Sequence, residues 1–171
     1  MAKVAKTQFK PFLFLLVSLY LLIAPSLTFS YEFAGKCTRV LDGDTIEVLF
    51  QSKAQRIRLA EIDCPETGKG KRASQPFSQT AKKFVLDVAA GQEIKVKVAS
   101  TDRYGRQIAE VFLPDGRSLN RELVRNGLAW WYRQYSKDSS LGQIELEARK
   151  AKRGLWSTST PIPPWEWRHK R

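Results

Sequence analysis

The sequence predicts an α+β protein in which a five-stranded Greek-key β-barrel carries about three accessory helices. Two observations support this. Short runs of alternating apolar and polar residues are separated by turn formers, which is typical of strands, and apolar residues at helical spacing follow the third and fifth runs. The order β-β-β-α-β-β-α-α suits such a barrel if its strands are short and antiparallel. At 171 residues the chain is expected to form one domain.

The predicted strands end at polar turn formers. In 45–50, Ile46, Val48 and Phe50 alternate with other side chains, and in 93–98 lysines alternate with apolar residues on what we expect to be the solvent face. Asp-Gly dipeptides mark two of the turns. The predicted strands cover residues 33–41, 45–50, 56–62, 93–98 and 108–113.

The helices are predicted from N-cap residues, from apolar faces and from glycines that end them. They cover residues from about 78 to 89, from 119 to 126 and from about 140 to 153. The N-cap candidates are Ser74 or Ser78 for the first helix, Ser118 for the second, and Ser139 or Ser140 for the third.

Both ends of the chain are predicted to lie outside the barrel domain, 31–156. Residues 1–30 combine a basic start, a short apolar core at 12–23 and small-residue cleavage sites, which indicates a signal peptide. An uncleaved membrane anchor is the alternative. We therefore expect an exported protein, secreted or periplasmic, or else a membrane-anchored one. Residues 157–171 are rich in proline, tryptophan and basic residues and are expected to form an extended tail.

The chain is strongly basic. Its net charge is +12, and because residues 1–30 contribute three lysines and no acids, residues 31–171 keep +9. Such an excess attracts polyanions and accelerates their encounter with the protein. Nucleic acid is the first candidate partner, and an anionic membrane surface is the second.

Acidic residues follow two of the predicted strands. Asp44 lies in the segment 40–45, and Asp63 and Glu66 lie in 58–67, where Arg58 points to the same region. Carboxylates brought close together repel one another unless a cation lies between them, and ligand sets made of oxygen suit Ca²⁺ or Mg²⁺. The alternative is that these segments are an ordinary hairpin turn and a loop with surface acids.

Cysteine and histidine are scarce. An exported protein meets oxidising conditions, so a disulfide between Cys37 and Cys64 is permitted, but the sequence does not place them within bridging distance. With His169 as the one histidine, zinc has no ligand set. Acid–base chemistry is therefore left to carboxylates.

Five segments, in this order, resemble the staphylococcal nuclease family of secreted, calcium-dependent phosphodiesterases built on an OB-fold barrel. They are DGDT, the R-x₄-D-x-P-E-T block, TDRYGR, LVRNGLA and AKRGLW, and the resemblance covers roughly residues 33–156. It implies that Asp44 and Asp63 are metal ligands for Ca²⁺, that the backbone carbonyl of Cys64 is a third ligand, and that Glu66 activates the attacking water. The prototype has threonine where this chain has Cys64, a change that preserves a main-chain ligand.

The resemblance also implies residues that contact the substrate. Arg58 and Arg106 would clamp the phosphate, since a guanidinium can donate two hydrogen bonds to non-bridging oxygens. Tyr104 and Tyr135 match positions that pack on the nucleotide, and Arg103, a lysine in the prototype, would be a further phosphate contact.

The function predicted in this way is hydrolysis of DNA and RNA with little sequence preference, by a calcium-dependent endonuclease. The alternative is an OB-fold module that binds nucleic acid without cutting it. A membrane-tethered binding protein that uses basic segments on lipid headgroups is a third possibility, and membrane contact requires that residues 1–30 be retained. The prototype implies a monomer, and no obligate protein partner is inferred.

Overall fold

The computed structural model describes residues 30–68, 70 and 73–169. The predicted targeting segment falls almost entirely on residues 1–29, outside this range. Within the described part of the chain, no helix is both long and apolar enough to cross a membrane. The strands are β1 Tyr31–Val40, β2 Thr45–Phe50, β3 Lys53–Leu59, β4 Ile62–Asp63, β5 Glu93–Thr101, β6 Gln107–Phe112 and β7 Trp130–Trp131, and the helices are α1 Ser78–Ala89, α2 Leu119–Arg125, α3 Ser139–Lys150 and α4 Pro164–Trp167, with a 3₁₀ turn at Gly154–Ser157.

Five strands close into a barrel in the order β1-β2-β3-β6-β5, which confirms the predicted five-stranded α+β barrel. The expectation that every strand pair is antiparallel was wrong for one pair. β3 and β6 run parallel, with Arg58 opposite Ile108 and Leu59 opposite Ala109. Strand direction alternates at each antiparallel pair, so a ring of five strands closes only if one pair is parallel. Here β6 closes the barrel by running parallel to β3.

The barrel interior is filled by the residues that alternate along the strands. Ile46, Val48, Ile57, Leu59 and Val96 are at most 1% exposed. Lys95 and Lys97, on either side of Val96, are exposed, as the period of a strand requires. This packed interior is the rigid support from which the strand ends carry polar residues.

The third predicted strand, 56–62, is interrupted in the structure. β3 ends at Leu59, and Glu61 adopts a positive φ of 65°, after which β4 pairs with β7 instead of continuing along the barrel. The Asn120 side chain, buried at the start of α2, holds this turn by donating from Nδ2 to the carbonyl oxygen of Ala60 at 2.9 Å. A change of direction that depends on a distant side chain leaves little trace in the local sequence.

The predicted N-cap residue is confirmed for one of the three predicted helices. Ser118 accepts from the backbone N–H of Arg121, as predicted. The first helix begins after Phe77, at φ 68°, and neither predicted serine caps it. The third helix is capped by Asp138, whose carboxylate accepts from the N–H of Ser140 at 2.9 Å, in place of either predicted serine.

The tail does not remain fully extended, contrary to expectation. The 3₁₀ turn at Gly154–Ser157 docks on the barrel domain through Leu155, whose N–H donates to the carbonyl oxygen of Gly127 at 2.8 Å. Proline at the start of α4 suits a helix N-terminus. Trp165 of this helix then packs on the barrel domain, and that burial offsets the cost of ordering the tail.

The two cysteines do not form a disulfide. Cys37 and Cys64 are both buried and both free. The disulfide that an exported location would permit is therefore absent from this structure.

Candidate active site

Asp44 and Asp63 come together at one end of the barrel because their strands end there. Asp44 lies in the turn directly before β2, and its carbonyl oxygen accepts from the N–H of Leu59, at the end of β3, at 2.8 Å. Asp63 ends β4, in which its neighbour Ile62 pairs with Trp131. Both acids are buried, and Asp63 is only 1% exposed.

Arg58 joins the two acids. Its Nη1 lies 3.1 Å from Asp44 Oδ2, and its Nη2 donates to Asp63 Oδ1 at 2.8 Å. Nη1 also donates to the carbonyl oxygens of Leu59 and Ile62. One guanidinium thus contacts both predicted metal ligands, which places their carboxylates around a shared space.

Cys64 contributes its main chain to this arrangement. Its backbone N–H donates to Asp44 Oδ2 at 2.7 Å. A side chain on Gly43 would place its Cβ 2.9 Å from the Cβ of Cys64 and 2.8 Å from that of Ala81, so the glycine of the Asp-Gly-Asp motif is required by close packing here. Burial raises the pKa of the Cys64 thiol well above its usual range, so this sulfur is a neutral thiol at physiological pH.

Asp44, Asp63 and Arg58 form a pocket that we call the acid pocket. Burial there disfavours the charged forms of both carboxylates. Burial raises the pKa of Asp44 to about 7, although the positive charge of Arg58 opposes that shift. Burial also raises the pKa of Asp63, against the opposing effect of hydrogen bonds and charge from Arg168 and Arg58. Two carboxylates in this state gain stability from any further positive charge placed between them.

Glu66 lies at the rim of the pocket on a segment held by Gln75. The backbone N–H of Glu66 donates to Gln75 Oε1 at 3.0 Å, and the N–H of Gln75 donates back to the carbonyl oxygen of Glu66 at 2.9 Å. The Glu66 side chain is 37% exposed. It is therefore placed beside the buried acids and still open to water.

Sequence reasoning missed one residue of this site altogether. Arg168, just after α4, donates from Nη2 to Asp63 Oδ2 at 2.8 Å and from Nη1 to Glu66 Oε1 at 2.5 Å. It is more than one hundred residues away from both acids in the chain. Only the Trp-rich composition of the tail, which favours burial, could have indicated that this segment returns to the barrel.

The donor atoms of the pocket fit a hard divalent cation. Taking only residues 30–68, 70 and 73–169, no group of three or more His, Cys, Asp or Glu side chains is arranged to hold a metal ion. Asp44 and Asp63 supply carboxylate oxygens that contact the same guanidinium, that of Arg58. The resemblance implies the main-chain carbonyl of Cys64 as a further oxygen donor. Such a set matches Ca²⁺ or Mg²⁺ better than zinc.

Arg106, the second predicted phosphate clamp, makes its described polar contacts within its own loop and not with Asp44, Asp63 or Glu66. It lies directly before β6, whose second residue, Ile108, pairs with Arg58. Its Nε donates to Asp102 Oδ2 at 2.7 Å, and Asp102 also accepts from the N–H groups of Tyr104 and Arg106. In the structure its guanidinium pairs with an acid of its own loop, unlike that of Arg58.

The predicted substrate contacts are exposed side chains. Tyr104 is 68% and Tyr135 67% exposed. Arg103 donates to the hydroxyl of Tyr104 at 2.7 Å, and its guanidinium carbon lies 4.8 Å from the centre of that ring. Tyr135 packs edge-on against Tyr132, with ring centres 4.7 Å apart. Such open aromatic faces can stack on a nucleotide base.

Comparison with known proteins leads to nucleases. The family model described as staphylococcal nuclease homologue matches residues 56–158. An uncharacterized endonuclease of Escherichia coli O157:H7 is 44% identical over 137 residues, which cover 80% of this chain and 86% of that protein. A micrococcal nuclease of Shigella flexneri is 39% identical over 147 residues, covering 80% and 81%. An uncharacterized endonuclease of Haemophilus influenzae is 36% identical over 134 residues, covering 78% and 71%.

Proposed function

The chain belongs to the staphylococcal nuclease family, and on that premise we propose that it is a calcium-dependent nuclease that hydrolyses the phosphodiester bonds of DNA and RNA with little sequence preference. One observation carries this proposal. Two buried aspartates at neighbouring strand ends share the guanidinium of Arg58, beside a glutamate that is open to water. The net charge of +12 supports a polyanionic substrate.

The reaction makes three demands on the site. A phosphodiester resists attack because its negative charge repels the nucleophile and because the leaving alkoxide is poor. The site must therefore neutralise charge on the phosphate oxygens, hold a water in line, and stabilise the extra charge as that water adds. When bound, a divalent ion would supply Lewis-acid stabilisation of that charge.

In this proposal Asp44 and Asp63 would hold the ion together with the main-chain carbonyl of Cys64. Glu66 orients the attacking water and accepts its proton, because it is the one acid of the three that is open to solvent. Arg58 then donates to a non-bridging oxygen of the phosphate from the buried side of the pocket.

Arg106 would complete the clamp by donating from its Nη atoms to the phosphate, while its Nε stays on Asp102, which aims the guanidinium. Tyr104 and Tyr135 hold the neighbouring nucleotides by stacking, which is indifferent to base identity. Arg103 adds a contact to the backbone.

Activity with and without the ion tests the proposal directly. We expect the purified protein to degrade single-stranded DNA and RNA with added Ca²⁺ and to lose activity in a chelator. Glu66→Gln should lower turnover by about 10²- to 10⁴-fold without altering the fold, because the amide cannot accept a proton. Glu147→Gln, in the middle of α3, is the matched control. Binding of nucleic acid without cleavage under all these conditions would favour the non-catalytic module instead.

We also propose that the protein is exported. The basic start and apolar core of residues 1–30 support a signal peptide. Fractionation of cells that express the full chain tests this. We expect a shortened protein outside the cytoplasm, whereas a full-length protein in the membrane fraction would show that the segment is an uncleaved anchor.

A further inference from the structure

The C-terminal segment, defined here as residues 159–169, lies beyond the region matched by the family model and beyond the segments that resemble the family. It nevertheless reaches the acid pocket. Trp165 stacks on Tyr132 with ring centres 5.1 Å apart and planes within 4°, and its ring meets Trp130 edge-on at 5.6 Å. Gln75, which holds the Glu66 segment, donates from Nε2 to the carbonyl oxygen of Ile162 at 2.6 Å. The segment is thus fixed at two points before it presents Arg168.

Arg168 donates hydrogen bonds to carboxylate oxygen atoms that a bound cation would require as ligands. Asp63 Oδ1 already accepts from Arg58, and Asp63 Oδ2 accepts from Arg168. The Asp63 side chain is 1% exposed, whereas that of Arg168 is 36% exposed and that of Arg58 is 13% exposed. Arg168 is therefore the outermost of the two guanidinium groups on Asp63, and it lies between this carboxylate and water.

The contacts of Arg168 also conflict with a bound ion. Its guanidinium lies 2.8 Å from Asp63 Oδ2 and 2.5 Å from Glu66 Oε1. A divalent ion on that oxygen of Asp63 would lie beside a like charge, which disfavours both.

We propose that Arg168 is an active-site residue of this chain, a tethered cation that neutralises Asp63 and Glu66 before the divalent ion binds and must leave Asp63 when it does. The proposal rests on the proposed function only in taking Asp63 as a ligand of the ion. Arg168 keeps the two acids from repelling each other in the ion-free protein. By the same contacts it weakens the binding of the ion, because binding must break them.

Titration of the full chain with Ca²⁺ alone, followed by calorimetry, tests this without reference to activity. We expect Arg168→Gln to lower the Kd for Ca²⁺ by about tenfold, since hydrogen bonds between charged groups no longer have to be broken. Arg168→Lys should lower it less, because lysine keeps the charge but cannot donate to both acids with the same geometry. Arg117→Gln, which removes the same charge from an exposed pair with Asp115, should leave the Kd unchanged.

Thermal unfolding gives a second readout and shows whether each variant folds. Without Ca²⁺, Arg168→Gln should unfold at a lower temperature than the wild type, and added Ca²⁺ should raise its Tm by more than it raises that of the wild type. If Arg168→Gln does not fold without the ion, Arg168→Lys gives the same comparison. Trp165→Ala, which frees the segment but keeps Arg168, should lower the Kd as well.

An unchanged or higher Kd in Arg168→Gln and Arg168→Lys would overturn the proposal, as would failure of every variant and the wild type to bind Ca²⁺. A parallel hydrolysis assay separates this result from the proposed function. Tighter binding in Arg168→Gln by a protein that cuts no nucleic acid would support the role of Arg168 and refute the nuclease. Cleavage with unaltered Ca²⁺ affinity would do the reverse.

Discussion

Two segments carry the arginines predicted to clamp the phosphate, the Arg58 wall in the barrel and the Arg106 wall in a loop, and they hold these arginines in different ways. Arg58 is 13% exposed, and its guanidinium contacts two buried acids and two backbone carbonyl oxygens. Arg106 is 30% exposed and is held by Asp102 alone among the acids, within a loop whose Tyr104 is open to solvent. The first wall is part of the barrel, and the second is a loop that connects two strands.

This difference separates stability from function. On the Arg58 wall the same contacts hold the fold and form the site, so a substitution should affect both. On the Arg106 wall the loop can change its partners while the barrel is unaffected, so a substitution should affect activity alone. Loops that carry functional residues on a rigid support commonly behave in this way.

The largest effect is expected for Arg58→Ala. It leaves Asp44 and Asp63 buried without their shared partner, and removal of one member of a buried ion pair costs about 3–5 kcal/mol. Urea denaturation should show this loss of unfolding free energy together with loss of hydrolysis. Arg56→Ala, which breaks an exposed pair with Glu47, should change stability by less than about 1 kcal/mol. Equal stability of the two variants would show that the acid pocket is not held by Arg58.

The next effect is expected for Arg106→Ala, in activity only. Loss of one donor to the transition state lowers turnover by about 10²- to 10³-fold. The unfolding free energy should change by less than about 1 kcal/mol, because the side chain is partly exposed and pairs within its own loop. Turnover within a factor of two of the wild type would remove Arg106 from the clamp.

A smaller effect is expected for Asp102→Asn. Although burial opposes the shift, hydrogen bonds from Arg106 and Tyr104 hold the pKa of Asp102 below its usual range. The stabilisation that its charge provides is therefore present at neutral pH and is lost as the pH falls through this lowered pKa.

The wild type should accordingly be slightly more stable than Asp102→Asn at pH 7, and the difference should vanish in acid. Turnover should fall by about tenfold, since Arg106 loses the group that aims it. Denaturation of both proteins across the acid range checks the first result, and a difference that persists at low pH would contradict it.

The smallest effect on stability and turnover is expected for Tyr135→Ala, which removes an exposed ring. Stacking on a base contributes about 1–3 kcal/mol, so the KM for single-stranded DNA should rise by about tenfold or more while Tm stays the same. Tyr31→Ala, another exposed tyrosine at the start of β1, is the matched control. A similar rise in KM for both variants would show that Tyr135 makes no specific contact.

The barrel was predictable because the patterns that specify its strands and turns are local in the sequence. Alternation along 45–50 and 93–98, and turn formers between the runs, predict strands whatever the rest of the chain does. One parallel pair is required by closure of five strands, although the sequence does not show that it joins β3 and β6. The positive φ of Glu61 was not predictable, since the turn there depends on a residue distant in sequence, Asn120.

The residues of the site likewise divide into those that the sequence could place and one that it could not. Asp44 and Asp63 could be placed together because each lies in a turn beside a predicted strand, and Arg58 because it lies in the strand that leads to Asp63. Arg168 could not, because its position depends on the packing of Trp165 against Tyr132, a contact between two aromatic segments that no local pattern specifies.

The measurement that tests the account most directly is the dependence of hydrolysis on Ca²⁺ concentration, compared with the Kd for Ca²⁺, in the wild type and in Asp44→Asn. We expect hydrolysis and Ca²⁺ binding to saturate together in the wild type and to be lost together in Asp44→Asn. Hydrolysis that continues in a chelator, or that needs the same Ca²⁺ concentration in Asp44→Asn, would contradict it.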